Sequence, residues 1–248
     1  IYNLSGQSSV GLSFDQPKET IESIVLGMLN ILEVVRENKK MIRIYHAGSS
    51  ECFGNTKNKP ANENTPFEPL SPYAIAKTTA SMLVKNYRSA YGMHVSNGIL
   101  FNHESPRRGS NFVTTKIIKN AVLIYKKKLE YLELGNLDSQ RDWGHAKDYV
   151  KAMWMMMQKK KPQDFVICTG KQHSVEDFTK LAFKFAGLDY KQYLKIDKKL
   201  SRPADVQTLL GNSSKAKKIL KWKHKYTFEA LVKDMVLNDL EFVKRQGY

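Results

Sequence analysis

Cysteine is nearly absent: 248 residues carry only Cys52 and Cys168. They stand far apart and lack paired metal-ligand spacing. A disulfide scaffold and a structural zinc site are therefore not expected, and the two read as reduced, partly buried thiols of a cytosolic protein. No apolar run approaches the roughly 18 residues that a bilayer span needs. The opening Ile1-Tyr2-Asn3-Leu4-Ser5 has neither the basic region nor the long apolar stretch of a secretory leader. The most telling absence is a glycine-rich turn. A doubly wound nucleotide-binding sheet normally opens with a strand, a G-x-G-x-x-G or related turn, and a helix that receives a pyrophosphate. No such spacing occurs, and the chain starts in what reads as a mid-sheet strand. The N-terminal glycine-rich segment of such a sheet is thus expected to be absent from this chain.

The charge is one-sided, with 40 Lys plus Arg against 24 Asp plus Glu and a formal net charge of +16. Such a balance can mark nucleic-acid binding. Here the excess is mostly lysine in scattered clusters, such as Lys126-Lys127-Lys128 and Lys159-Lys160-Lys161. That pattern reads as a solvated surface, with no nucleic-acid groove, and it also suits a small anionic substrate such as a nucleotide diphosphate.

What is present alternates between strand-like and helix-like segments. Ile21, Ile24, Val25, Met28, Leu29, Leu32 and Val35 recur at helical spacing over 19–37. Strand-like runs at 1–4, 41–47, 94–101 and 164–168 are separated by helical patterns near 72–91, 112–127 and 146–158, with a further short strand near 131–134. The alternation predicts an α/β fold with a doubly wound parallel sheet. The remainder, 173–248, reads as mostly helical, with a loop around Leu200-Ser201-Arg202-Pro203. No internal repeat interrupts it.

One constellation carries chemistry. Ser49-Ser50-Glu51 follows the second strand-like run, and Tyr73-Ala74-Ile75-Ala76-Lys77 opens a helix behind Ser71-Pro72. A Tyr and a Lys four apart on a helix share a face. Beside Lys77 the phenolate of Tyr73 is favoured, so its pKa is expected to fall toward that of a useful base. A tyrosine base, a cation that tunes it, a hydroxyl and a carboxylate form the set needed to dehydrate a sugar alongside a hydride transfer. Taken singly, each residue has a plainer reading: Tyr73 as packing, Glu51 as a loop carboxylate, Ser49 as a turn residue, His103 as a structural histidine, Arg141 as an ion-pair partner. The apolar run Met153–Met157 reads as core.

Six stretches carry a family resemblance: YNLSGQSSV at 2–10, AGSSECFG at 47–54, SPYAIAK at 71–77, FNHESPRRGSNFVTTKI at 101–117, LGNLDSQRDWGHAKDYV at 134–150, and RPADV at 202–206. The Y-x-x-x-K spacing recurs by chance, whereas NHESPRRG followed by NLDSQRDWGHAKDYV is highly specific. The chain resembles the extended short-chain dehydrogenases/reductases, and within them the GDP-mannose 4,6-dehydratase family. The resemblance implies a Rossmann-like sheet with a smaller, mostly helical C-terminal substrate domain. Residues 1–101 and 145–172 would bind the nucleotide cofactor, NADP, and 102–144 with 173–248 would bind the GDP-sugar. It implies Ser49, Glu51, Tyr73 and Lys77 as the catalytic set. Leu4, Ser5, Gly6, Ser8, Tyr73, Lys77, His103 and Arg108 would hold the cofactor. Ser8, Asn102, Lys116, Arg141, Arg202 and Asp205 would hold the substrate. It further implies a lyase of nucleotide-sugar metabolism leading toward GDP-fucose, acting as a homodimer or homotetramer.

Several positions depart from the family pattern: Ser49 where Thr is usual, Asp205 where Glu is usual, Ser9 in place of a His, and Glu19 in place of an aromatic. They leave room for a related substrate such as a GDP-heptose. Three readings stand: a nucleotide-sugar 4,6-dehydratase, which is favoured; a nucleotide-sugar 4-epimerase, against which Glu51 argues because epimerisation at C4 needs no acid/base at C5; and a non-catalytic binding or scaffold protein on the same fold.

Overall fold

The structure is a computed structural model that describes residues 1–38, 41–200 and 204–245. Its central sheet has four parallel strands in the order β1 (Tyr2–Asn3), β2 (Ile44–Ser49), β3 (Val95–Leu100) and β8 (Asp164–Ile167). Every residue of β3 is buried. A central strand covered on both faces has no solvent-facing side, so even Ser96 and Asn97 in its middle are buried.

One face carries α1 (Val10–Asp15), α2 (Pro17–Ile21), α3 (Gly27–Glu37) and α4 (Pro72–Tyr91), which bury Ile24, Met28, Leu32, Ala80 and Val84 against Ile44 and Val95. The helical pattern expected over 19–37 begins earlier than its apolar spacing indicated. Ser9 caps α1 by accepting from Leu12 N, Pro17 opens α2, and a π-helical turn over Glu22–Leu26 joins α2 to α3. The boundaries of α4 follow from its sequence. Ser71 Oγ accepts from Ala74 N at 3.1 Å, Pro72 fills the first turn, and Gly92 ends the helix in the left-handed region.

The opposite face is covered by α6 (Ala146–Met157), where Tyr149, Met153 and Met156 pack with Tyr45, Phe165 and Trp222. Helices on both faces make the sheet doubly wound, as expected. The methionine run is core as read, except at Trp154, which is 57% exposed.

Beyond the carboxyl ends of the strands lies a second body. Its core joins Ile117 and Ile118 of α5 (Val113–Tyr125), Phe178 and Phe183 of α7 (Val175–Phe185), and Leu231 and Val236 of α8 (Phe228–Arg245). Short strands stitch it together. The segment β4 (His103–Glu104) pairs with β7 (Gly144–His145), and β5 (Leu132–Leu134) pairs with β10 (Leu194–Ile196). The strand β6 (Gln140–Arg141) lies between β9 (His173–Ser174) and β11 (Thr208–Leu209). The segments 102–111 and 135–144 thus contain strands of two residues, too short to leave a periodic signal. The tail also returns to the first body, where Leu220 and Trp222 pack beside α6.

Candidate active site

A cleft of about 500 Å³ opens between the two bodies, at the carboxyl ends of β1, β2 and β3. Ligands of open α/β sheets bind at such ends. The strand β2 extends to Ser49, two residues past the expected end at 47, and a 3₁₀ turn over Ser50–Phe53 carries Glu51 to the cleft. The turn is fixed by its own start, since Ser49 Oγ accepts from Glu51 N at 3.3 Å. Gly48 is required beneath it: a Cβ there would lie 2.5 Å from Asn97 Oδ1 and 3.1 Å from the Gly98 carbonyl.

From α4, Tyr73 and Lys77 reach the same cleft, with Lys77 Nζ 5.8 Å from the Tyr73 ring centroid. Lys77 donates to the Ala47 carbonyl at 2.9 Å. Burial brings its amine down to about 8. The expected fall in the Tyr73 pKa does not occur. Burial pushes this hydroxyl up, and the hydrogen bond with Ser49 and the Arg108 charge only partly offset it. The lysine is directed at a backbone carbonyl, so desolvation wins.

On the far side of the cleft, Arg141 ties three segments together. Its Nε lies 4.0 Å from Glu51 Oε1, its Nη2 donates to Asp205 Oδ1 at 3.3 Å, and its Nη1 donates to the Val206 carbonyl at 2.6 Å. The second oxygen of Asp205 accepts from Ser139 Oγ at 2.5 Å and from Asn136 Nδ2 at 3.1 Å. Asn136 and Ser139 line the cleft and escaped the sequence reading. Their signal was available in NLDS at 136–139, where an Asn and a Ser three apart precede Arg141.

The cleft also takes Leu4, Gly6, Ser8, Asn102, His103 and Arg108. Gly6 has φ +108°, and a Cβ would lie 2.7 Å from Ile24 Cγ1, so glycine is needed at that bend. His103 Nδ1 is 2.9 Å from the Phe101 carbonyl, and its ring stacks on Tyr149 at 4.7 Å. Burial lowers His103 to about 4. Two expected residues stand apart: Ser5 donates to Asn3 Oδ1 at 2.6 Å, and Lys116 sits on α5; neither lines the cleft. Arg202 lies outside the described residues. Glu19 is exposed in the first turn of α2.

The hydroxyl, imidazole, amine and guanidinium groups of Ser8, His103, Lys77 and Arg108 suit the ribose hydroxyls and phosphates of a nicotinamide nucleotide. They surround the strand ends where such a group binds in this fold class.

The sheet order, the helices on both faces and the Tyr73/Lys77 pair beside Ser49 define the extended short-chain dehydrogenase/reductase class. Solved structures support this fold: RMD from Pseudomonas aeruginosa complexed with NADPH (TM-score 0.88, 20% identical, 97% of this chain and 81% of that one) and a dTDP-glucose 4,6-dehydratase from Bacillus anthracis in complex with NAD (TM-score 0.84, 22% identical, 100% and 73%). Sequence comparison narrows the class. The protein-family model described as GDP-mannose 4,6 dehydratase matches residues 1–235. GDP-mannose 4,6 dehydratase 1 of Arabidopsis thaliana is 49% identical over 99% of this chain and 69% of its own length. The Drosophila melanogaster enzyme is 48% identical over 99% and 67%, and that of Yersinia enterocolitica 43% over 100% and 74%. The chain belongs to the GDP-mannose 4,6-dehydratase family and spans roughly two-thirds to three-quarters of the length of these relatives. Among the described residues no helix is long and apolar enough to cross a membrane.

Proposed function

We propose that this chain dehydrates GDP-mannose, or a closely related GDP-sugar, to the 4-keto-6-deoxy product. When bound, NADP supplies the redox chemistry, an internal hydride relay between C4 and C6 of the sugar. The protein's residues supply the proton chemistry. Tyr73 takes the proton of the C4 hydroxyl as the 4-ketone forms. That ketone acidifies the C5 proton, which Glu51 removes and delivers to the C6 hydroxyl as it leaves as water; the proton that Tyr73 took then returns to C5, which restores both residues. Lys77 holds positive charge beneath Tyr73 and Ser49 hydrogen-bonds the reacting hydroxyl. Arg141 and Asp205 hold the GDP portion, a guanidinium suiting a diphosphate and a carboxylate suiting ribose hydroxyls.

The observation that carries this reading is Glu51. It is a buried carboxylate at the end of β2, in the same cleft as Tyr73 and Lys77. An epimerase has no use for an acid/base group there. We assign the cofactor to 1–101 with 145–172 and the sugar nucleotide to 102–144 with 173–248, with the cleft as their boundary. Ile75 and Met82, seven apart on α4 and both exposed, support assembly as a homodimer or homotetramer.

The test is mass spectrometry of a reaction of GDP-mannose with the protein and NADP. We expect a product lighter by one water, lost in Glu51→Gln and Tyr73→Phe while GDP still binds both variants. Water loss from a GDP-heptose alone would change the substrate and keep the mechanism. No water loss from either sugar would refute the dehydratase reading and favour a non-catalytic role.

A further inference from the structure

We infer that Glu104 is a positioning residue that fixes the Arg108 guanidinium in the cleft. The inference rests on the reading of Arg108 as a cofactor-side cation. Glu104 is 2% exposed and belongs to β4, directly after His103. Its Oε2 accepts from Thr114 Oγ1 at 3.0 Å and lies 3.0 Å from Arg108 Nε. Arg108 is partly exposed into the cleft, and its guanidinium carbon sits 3.4 Å above the Phe112 ring centroid.

The carboxylate behind and the ring beneath restrict the guanidinium to a narrow set of orientations. The group so held acts on its neighbours: its positive charge favours the phenolate of Tyr73 and disfavours protonation of His103. A free arginine on a loop would lose rotamer entropy on meeting an anion. One already held by a buried carboxylate loses less, and that difference appears as affinity. Glu104 itself has little else to do. Burial raises its carboxyl to about 7, against the opposing effects of Arg108 and Thr114. A buried carboxylate of this kind is tolerated only where partners compensate its desolvation, and Arg108 is the charged partner.

The experiment measures NADPH affinity by fluorescence, GDP affinity as an internal control, and kcat with NADP saturating. Glu104→Gln keeps the shape and can still accept from Thr114, but it cannot hold the guanidinium by charge. It is expected to weaken NADPH about tenfold, the loss of the close ion pair that orients the guanidinium, with kcat and GDP affinity changed less than about twofold. Thr114→Val removes the hydrogen bond to the same oxygen and is expected to leave NADPH affinity nearly unchanged. Should Glu104→Gln not fold, Glu104→Asp, one methylene shorter, answers the same question with a smaller loss. Unchanged NADPH affinity in the Glu104 variant, beside a clear loss in Arg108→Ala, would overturn the inference and leave the role of Arg108 intact. Unchanged affinity in Arg108→Ala would overturn that role, and the inference with it. A loss in Thr114→Val equal to that in Glu104→Gln would mean that Glu104 acts through α5, which also overturns the inference.

Discussion

The two walls of the cleft hold their charges in opposite ways. On the sheet wall, Lys77 is buried with a backbone carbonyl as its acceptor, and Tyr73 is buried beside it; burial dominates both groups. On the opposite wall, Arg141, Asp205, Ser139 and Asn136 are linked in a network in which the guanidinium meets the carboxylate. The first arrangement leaves the groups we propose for proton transfer governed by desolvation. The second suits the receptor we propose for the sugar nucleotide. Removing a charge should therefore stabilise the fold on one wall and destabilise it on the other.

The largest effect is expected from Arg141→Met. The arginine is 8% exposed at its side chain, and its loss takes away the guanidinium that faces both Glu51 and Asp205. Breaking a buried pair from one side is strongly destabilising. Because the cleft admits water, we expect about 2–3 kcal/mol by urea denaturation. A variant as stable as the parent would show that the network contributes nothing to the fold and would erase the contrast between the walls.

Lys77→Met should move the other way. The native chain holds this proton less tightly than the unfolded chain, since the pKa falls from 10.5 to about 8. Between those values the unfolded state binds more protons, so stability rises with pH. The penalty is present in full below about pH 8 and is gone above about 10.5. The shift corresponds to about 3 kcal/mol at most. Loss of the bond to Ala47 offsets part of it, so we expect the variant to gain about 1–2 kcal/mol at pH 7, to lose the gain by about pH 10.5, and to lose turnover throughout. A variant less stable than the parent at pH 7 would mean that the ammonium is well solvated where it sits.

The same contrast explains what the sequence made legible. The sheet wall is local. Ser49 and Glu51 end one strand, and Tyr73 and Lys77 open the next helix behind a Ser-Pro cap, so spacing alone brings them to one face. The fold followed similarly from the alternation of buried strands and amphipathic helices. The receptor wall is assembled from residues about 65 apart in the chain, such as Arg141 and Asp205, through strands of two residues that leave no period to read. Family motifs pointed to Arg141 and Asp205; Asn136 and Ser139 lay unread in the NLDS stretch just before Arg141, and Glu104, which acts through another side chain, became visible only in three dimensions. Electrostatics was the least legible quantity. Adjacency predicted a lowered Tyr73 pKa, and burial, which no local spacing encodes, reversed it.

The smallest expected effect sharpens the comparison most. Ser139 donates to Asp205 Oδ2 at 2.5 Å and also accepts from Asn136 Nδ2 at 2.8 Å, so its hydroxyl links two members of the network. Ser139→Ala removes that hydroxyl with almost no change in volume, while Asn136 and Arg141 still serve the carboxylate. One hydrogen bond to a charged group, partly replaced by a remaining donor, should contribute about 1 kcal/mol. The loss belongs to the receptor and not to proton transfer, so it should appear as roughly threefold to fivefold weaker GDP binding by calorimetry, with kcat at saturating substrate held within about twofold. Were kcat to fall while GDP affinity held, the network would reach the reaction through Arg141 and Glu51, which lie 4.0 Å apart, and the two walls would form one functional unit.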